Sequence, residues 1–371
     1  MADLTTIIDK VRSIPDDLSY MMRNPSAQFG SDRMGKTYLG ARFLPERLVE
    51  ENRIEEDEIK FRSIIAEYSG RYDPAQKRAL SEVKGFQGEL GDFDIKREIN
   101  GKEYDKLVKI FKPLSDEQAL MKFMSMLDEM INMGLKDRIE QERWAAIINA
   151  KLNITKTSGE EYEVLYENPS GHRFDSPHYF TDDTEDPFEL YFEAARILKQ
   201  AGYSRILANI ISQEVGWAMC NNELVRTRTG GMRVDTANNA VTPVLGMPTD
   251  SQVSAILGEK GIPAPIYNDE IYYTETGTEY FFPRDVIVLI AQTPRREEIR
   301  IAEGQDILVP NTLGYYAIGR PQGQVSPGNM VYVRHYTDEK PKRIEAEGLG
   351  TGLAAVLEST AIIAIKRVIP T

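Results

Sequence analysis

A chain of 371 residues, 41% hydrophobic and 28% charged, is long enough for one large or two medium domains with a substantial core, and its composition is neither that of a disordered nor of a bilayer-embedded protein. The net charge of −13 excludes broad contact with nucleic-acid phosphates, which needs clustered Lys and Arg. The single cysteine, Cys220, rules out an intrachain disulfide and fits a reducing compartment.

Residues 1–45 open on a mixed polar and apolar stretch that lacks the basic start, apolar middle and cleavage site of a signal peptide, so the chain is expected to stay in the cytoplasm where it is made. Pro15, Pro25, Gly30, Gly35, Gly40 and Pro45 then fall too close together for any long element, which predicts an extended N-terminal arm. Residues 46–112 follow, with 16 acidic and 14 basic side chains among 67, nearly balanced in sign. Two alternating runs emerge from this charge: Ile59, Phe61 and Ile65 beside Arg62, then Phe93, Ile95, Arg97 and Ile99. A polar ribbon of this kind is marginal by itself. The pattern predicts a long β-hairpin arm that lies on a neighbouring molecule, with Ile59, Phe61, Arg62, Ile65, Phe93, Ile95, Arg97 and Ile99 as its contacts.

Pro113 and Ser115 introduce the clearest helix, with Ser115 and Gln118 in capping-box register and Leu120, Phe123, Met124, Leu127, Ile131, Ile139, Ile147 and Ile148 available for one face. Gly134 predicts a bend in it. Five methionines between Met121 and Met133 read first as packing, although an adaptable contact face has the same composition. Leu152 to Tyr166, broken by Ser158-Gly159, predicts a short hairpin, and Pro187 a further helix ending near Gly202. Beyond Tyr203, short helices alternate with strand-like runs at Arg205–Ile211, Val286–Ala291, Met330–Tyr336 and Ile362–Val368, the mark of an α+β domain. The longest apolar runs fall far below the roughly 20 residues that span a bilayer as a helix.

Gly30-Ser31-Asp32-Arg33-Met34-Gly35-Lys36-Thr37 satisfies the phosphate-loop spacing, and alone it predicts a nucleotide-binding enzyme. Such a loop works when a buried strand delivers it and a helix leaves it. Here Arg23 to Gln28 is no apolar strand, and Gly40 and Pro45 stop any helix starting at Lys36. Gly348, Gly350 and Gly352 have the wrong spacing for a dinucleotide loop and read as a flexible turn. His172 and His178 with Asp175 lack a fourth ligand and standard zinc spacing. Asp182, Asp183, Glu185 and Asp186 lack the calcium-loop alternation and read as a cap for the helix after Pro187. No Ser or Cys nucleophile has a recognisable partner, and neither catalytic nor cofactor-binding nor metal residues are nominated.

The order of segments resembles the major capsid proteins of tailed bacteriophages, the lambda-type major capsid protein E family with the Hong Kong 97-type shell fold. The residues that carry the resemblance are Leu90-Gly91-Asp92-Phe93-Asp94-Ile95, Trp217 with Asn221, Asn222 and Val225, Gly261 to Asp269, Phe282 to Leu289, and the closing Ile362–Val368 run. The resemblance implies an α+β fold in four parts: an N-terminal arm (1–45), an extended E-loop (46–112), a peripheral domain with the spine helix (113–202 and 326–371) and an axial domain (203–325). It implies a virion head protein, assembled in the bacterial host cytoplasm, that builds hexamers and pentamers around double-stranded DNA without sequence-specific binding or a membrane. The expected partners are a separate scaffolding protein, a portal and a decoration protein. No covalent Lys–Asn cross-linking is expected, because no motif singles out a pair. An encapsulin-like protein compartment has the same fold and is the alternative, with a phosphate-loop protein behind it.

Overall fold

The computed structural model describes residues 36–49, 52–59, 83–100, 116–155, 161–230, 232–235, 240–243, 246–274, 276–302, 305–320, 332–339 and 342–370. The first of these form a strap: a 3-10 turn at Leu39–Arg42 and strand β1 (Glu46–Leu48). Two strands, β2 (Arg53–Ile59) and β3 (Val83–Glu89), make an antiparallel ribbon, and β4 (Gly91–Asn100) follows directly. Helix α1 runs unbroken over the 34 residues Asp116–Asn149, with Gly134 inside it. Its role is spatial, since a Cβ on Gly134 would lie 2.7 Å from Ile95 Cδ1, where β4 crosses the helix. Ile131, Leu135, Ile139, Ile147 and Ile148 on α1 are buried, as the apolar spacing predicts, and each such side chain is worth about 1.5–3 kcal/mol of burial.

The hairpin β5 (Lys151–Thr155) and β6 (Glu161–Leu165) lies after α1, then β7 (Arg173–Asp175) and α2 (Pro187–Gln200). Pro187 sits in the first turn of α2, Asp186 accepts from the Phe188 N–H, and Gly202 with φ of 99° turns the chain away. Strand β8 (Ile206–Ile211), α3 (Gln213–Asn221), α4 (Glu223–Thr229), the pair β9 (Met232–Asp235) and β10 (Ala240–Pro243), and α5 (Asp250–Glu259) come next. Then follow β11 (Pro265–Tyr267), the hairpin β12 (Ile271–Tyr273) and β13 (Thr278–Tyr280), β14 (Ile287–Ala291), and the hairpin β15 (Arg296–Ala302) and β16 (Gln305–Pro310). The chain closes with β17 (Gly314–Ile318), β18 (Tyr332–Glu339), the 15-residue β19 (Lys342–Val356) and β20 (Ile362–Lys366).

Two sheets organise these elements. In the first, β19 pairs antiparallel with β17, β18 and β4, and β1 joins the far side of β17 in parallel; α1 packs on β19. The second has the order β11-β8-β14-β20-β7. Its central strands β14 and β20 are apolar and buried at successive positions, which requires cover on both faces.

The sequence expectations are corrected at three places. Of the two alternating runs, Phe61 to Ile65 lies outside the described residues; β3 is the described partner of β2, and β4, which holds Phe93–Ile99, runs beside Arg343–Gly352, some 250 positions away. The glycines 348, 350 and 352 are not a turn but alternate residues of β19, and they share one face of it. That face is bare because Ile131 and Leu135 of α1 press on Gly348, the Phe93 ring on Gly350, and the Tyr316 ring on Gly352. The C-terminal segment also divides: β19 lies with α1, but β20 inserts between β14 and β7 in the other sheet, after Leu357 and Glu358 both donate to the Leu313 carbonyl and a turn at Ser359–Ala361 redirects the chain. A run of isoleucines announces a strand buried on both faces without saying in which sheet.

Candidate assembly surface

Among the described residues, the β2–β3 ribbon is anchored at its root. Ile54 is 1% exposed, and Phe86 stacks on Tyr166 with ring centroids 5.5 Å apart. A Cβ on Gly88 would touch Leu353 Cδ2 at 2.8 Å, so this glycine lets the ribbon lie close to β19. Asn52 locks the entry, because its Oδ1 accepts from the Arg320 N–H at 2.8 Å, its Nδ2 donates to the Arg320 carbonyl, and its own carbonyl accepts from Leu90. From this root seven residue pairs run from Arg53↔Glu89 to Ile59↔Val83, about 20 Å of ladder. Neither strand pairs with a further strand among the described residues. Four successive acidic residues, Glu55 to Glu58, lie on β2.

Of the predicted contact residues, Phe61, Arg62 and Ile65 lie outside the described residues, and for Ile59 and Ile99 only the strand positions are described. Phe93 and Ile95 are half-buried against β19 and α1 of their own chain, and Arg97 is exposed on β4. Intermolecular contact by these eight residues is therefore untouched by the fold, and two of them spend much of their apolar surface at home.

Exposed aromatic and aliphatic side chains elsewhere mark further surface: Trp217 on α3 at 66%, Tyr273 on β12 at 73%, Leu165 and Met247. Arg284 stacks on Tyr280 with its guanidinium 4.9 Å from the ring centroid and contacts Glu214 of α3, so it bridges toward the helix that bears Trp217. Trp, Tyr and Arg together are the residue types that carry binding energy in protein interfaces.

The chemistry weighed from sequence resolves into structural roles. Lys36 pairs with Asp137 of α1 at 2.8 Å, with the Phe281 ring 5.7 Å away, and a 3-10 turn rather than a helix follows it. Gly30 to Gly35 of that motif lie outside the described residues. His172 is buried with Nδ1 3.1 Å from the Ile362 carbonyl, His178 faces Glu185 at 3.5 Å, and Asp175 pairs with Arg367. Among the described residues no group of three His, Cys, Asp or Glu side chains converges as for a metal ion. The acidic loop caps two helices instead of one: Asp186 serves α2, and Asp183 accepts from Glu223 at the start of α4. Asn222, buried between them, donates to the Phe180, Asp182 and Glu185 carbonyls and accepts from Leu224 and Val225.

No family model and no curated protein matches the sequence. Solved structures do match along nearly the whole chain. A candidate capsid protein of a prophage from Escherichia coli CFT073 aligns at 16% identity over 94% of this chain and 97% of its own, with a TM-score of 0.57. A phage-related protein from Bordetella bronchiseptica RB50 aligns at 10% identity over the same shares, with a TM-score of 0.50. An encapsulin from Synechococcus elongatus PCC 7942 covers 96% of each chain at 12% identity, but its TM-score of 0.42 carries no weight. The α+β architecture with its long helix and two-stranded ribbon is thus the fold of these phage proteins. Among the described residues no helix is long and apolar enough to cross a membrane.

Proposed function

We propose that this chain is the major shell subunit of a tailed-phage head, associating as hexamers and pentamers into an icosahedral shell around double-stranded DNA. The observation that supports it best is the match to a candidate prophage capsid protein over 94% of this chain and 97% of that one. The β2–β3 ribbon supports it further, since a two-stranded ladder that pairs with no further strand among the described residues is marginal by itself and gains stability by lying on something. We assign the overlapping arm to residues 53–89, narrower than the 46–112 read from sequence, because β1 and β4 belong to the chain's own sheet. Net charge of −13 suits a wall that must contain DNA without binding it. A separate scaffolding protein, a portal and a decoration protein are the partners this reading brings, and catalysis has no part in it.

Negative-stain microscopy of the purified chain, alone and co-expressed with its neighbouring gene products, tests the proposal: closed particles of uniform diameter are expected. A chain that stays monomeric at every concentration and in every combination would overturn it. Particles that hold protein cargo and no nucleic acid when recovered from their native host would move the reading to an encapsulin-like compartment. Boiled samples are expected to run as monomers on a denaturing gel.

A further inference from the structure

Of the two tryptophans, Trp144 is buried and Trp217 on α3 is 66% exposed. An indole left in water on a firm surface has the character of a binding anchor, since Trp, Tyr and Arg supply most of the affinity in protein interfaces. The surface is firm because each element behind it is tied. The Ser212 hydroxyl accepts from the Val215 N–H and donates to the Arg284 carbonyl at 2.6 Å, and Asp269 accepts from the Gln213 N–H at 3.0 Å. Arg284 stacks on Tyr280 and pairs with Glu214, one turn before Trp217, and the Tyr267 ring lies against Gly216. A partner that docks here orders little that is not already ordered.

Beyond the Arg284–Glu214 pair, the charge around α3 is negative. Asp269 lies at its start, and Glu223 and Asp183 lie past its end, where Asp183 accepts from the Glu223 N–H. Arg228 is held by Asp186 and Glu189, and Arg367 by Asp175. The other end of the second sheet has the opposite sign. Strand β8 spans about 20 Å before α3 begins, and Lys199 and Arg205, both exposed, stand ahead of its first residue. The Arg205 carbonyl accepts from the Gln292 N–H at 2.8 Å, just past β14, which fixes it at that end. Neither cation forms an ion pair among the described residues, and Glu358, which the Tyr203 hydroxyl contacts, is buried.

We propose that the Trp217 face of one copy takes the end of the second sheet that bears Lys199 and Arg205 on the next copy, with the indole against the Arg205 guanidinium and the acidic rim against Lys199. The two faces are complementary in charge, and an indole is the best of the aromatic rings at holding a cation over its face. The pairing rests on the shell reading, because a ring of five or six copies closes through two different faces of each chain, whereas one self-complementary patch stops at a dimer. An acidic partner or a nucleic acid would meet the same rim unfavourably.

Acrylamide quenching of the full-length chain reads chiefly Trp217, since Trp144 is 1% exposed. The quenching constant is expected to fall at least threefold between dilute, unassembled chain and closed particles. Trp217→Ala and Arg205→Glu, both at exposed positions, should melt within about 2 °C of wild type, yet each alone should fail to assemble. Mixed in equal amounts, the two variants should give a heterodimer in sedimentation velocity, because the first keeps the basic face and the second keeps the indole. Three results would each overturn the pairing while leaving the shell in place: particles whose indole is as quenchable as in the free chain, variants that assemble like wild type, or a mixture that stays monomeric where wild type assembles. A wild-type chain that never associates would instead remove the shell reading, and this pairing with it.

Discussion

Glu140 concentrates three buried donors on one carboxylate, and two of them come from residues a turn or less along its own helix. The third, the Gly40 N–H, comes from the strap, and Gly40 itself is required there: a Cβ would stand 2.8 Å from Glu140 Oε1. Removing the carboxylate leaves the Gly40 N–H, the Trp144 indole and the Nη1 of Arg143 without this acceptor at a buried site, although Arg143 keeps Glu46 and the Leu44 carbonyl. Glu140→Ala should therefore lower the unfolding free energy by about 3–5 kcal/mol, the usual cost of breaking a buried ion pair on one side, as measured by urea denaturation. Truncating a surface pair such as Arg196 with Glu193, both half in solvent, should leave the urea midpoint nearly unchanged. Nothing of this cluster was legible in the sequence. Glu46 and Tyr316 lie 97 and 174 positions from the α1 residues they bind, and charged letters on an amphipathic helix read as a solvated face until the tertiary partner is known.

At the scale of elements, legibility follows how local the cause is. The long helix, the hairpin after Leu152, the helix opened by Pro187 and the apolar strands were readable, because caps, turns and periodicity act within a few residues. Pairing was not, because the partner of β4 is set by contacts far along the chain and by glycines whose meaning depends on what lies above them. Gly348 is the clearest case: it reads as flexibility in sequence, yet in the fold it is the flat place on β19 that lets α1 settle. Gly348→Val supplies a better strand former and a side chain with no room, as Ile131 and Leu135 occupy that volume. Overpacking of this kind costs about 1–3 kcal/mol and should outweigh the gain in strand preference. The variant is expected to melt earlier than wild type in a calorimetric scan. A Gly171→Val control, placed where a Cβ meets nothing but φ is 77°, separates backbone strain from steric crowding.

For the whole molecule, the proposed assembly rests on a division of labour between a well-buried body and an arm that carries charge instead of core. The body holds its apolar residues in one continuous cluster linking α1, both sheets and the strap. The β2–β3 ribbon contributes Ile54 and Phe86 to that cluster, and Glu55 to Glu58 lie along β2. Charge on an overlapping arm gives register and orientation at many weak contacts more than it gives affinity, and weak heterologous contacts let a curved surface close without fixing its errors. Reversing Glu55 and Glu89, both exposed on the ribbon, to Lys should accordingly leave the melting temperature of the unassembled chain within about 2 °C of wild type, since surface substitutions seldom exceed about 0.5 kcal/mol. The same variant should fail to form closed particles under conditions where wild type forms them. Salt sharpens the test: between about 0.1 M and 1 M the screening length falls from about 10 Å to 3 Å, so wild-type assembly should weaken while the variant's defect shrinks. Light scattering across that salt range reads both trends, and equal assembly by variant and wild type at low salt would remove the arm's charge from the mechanism.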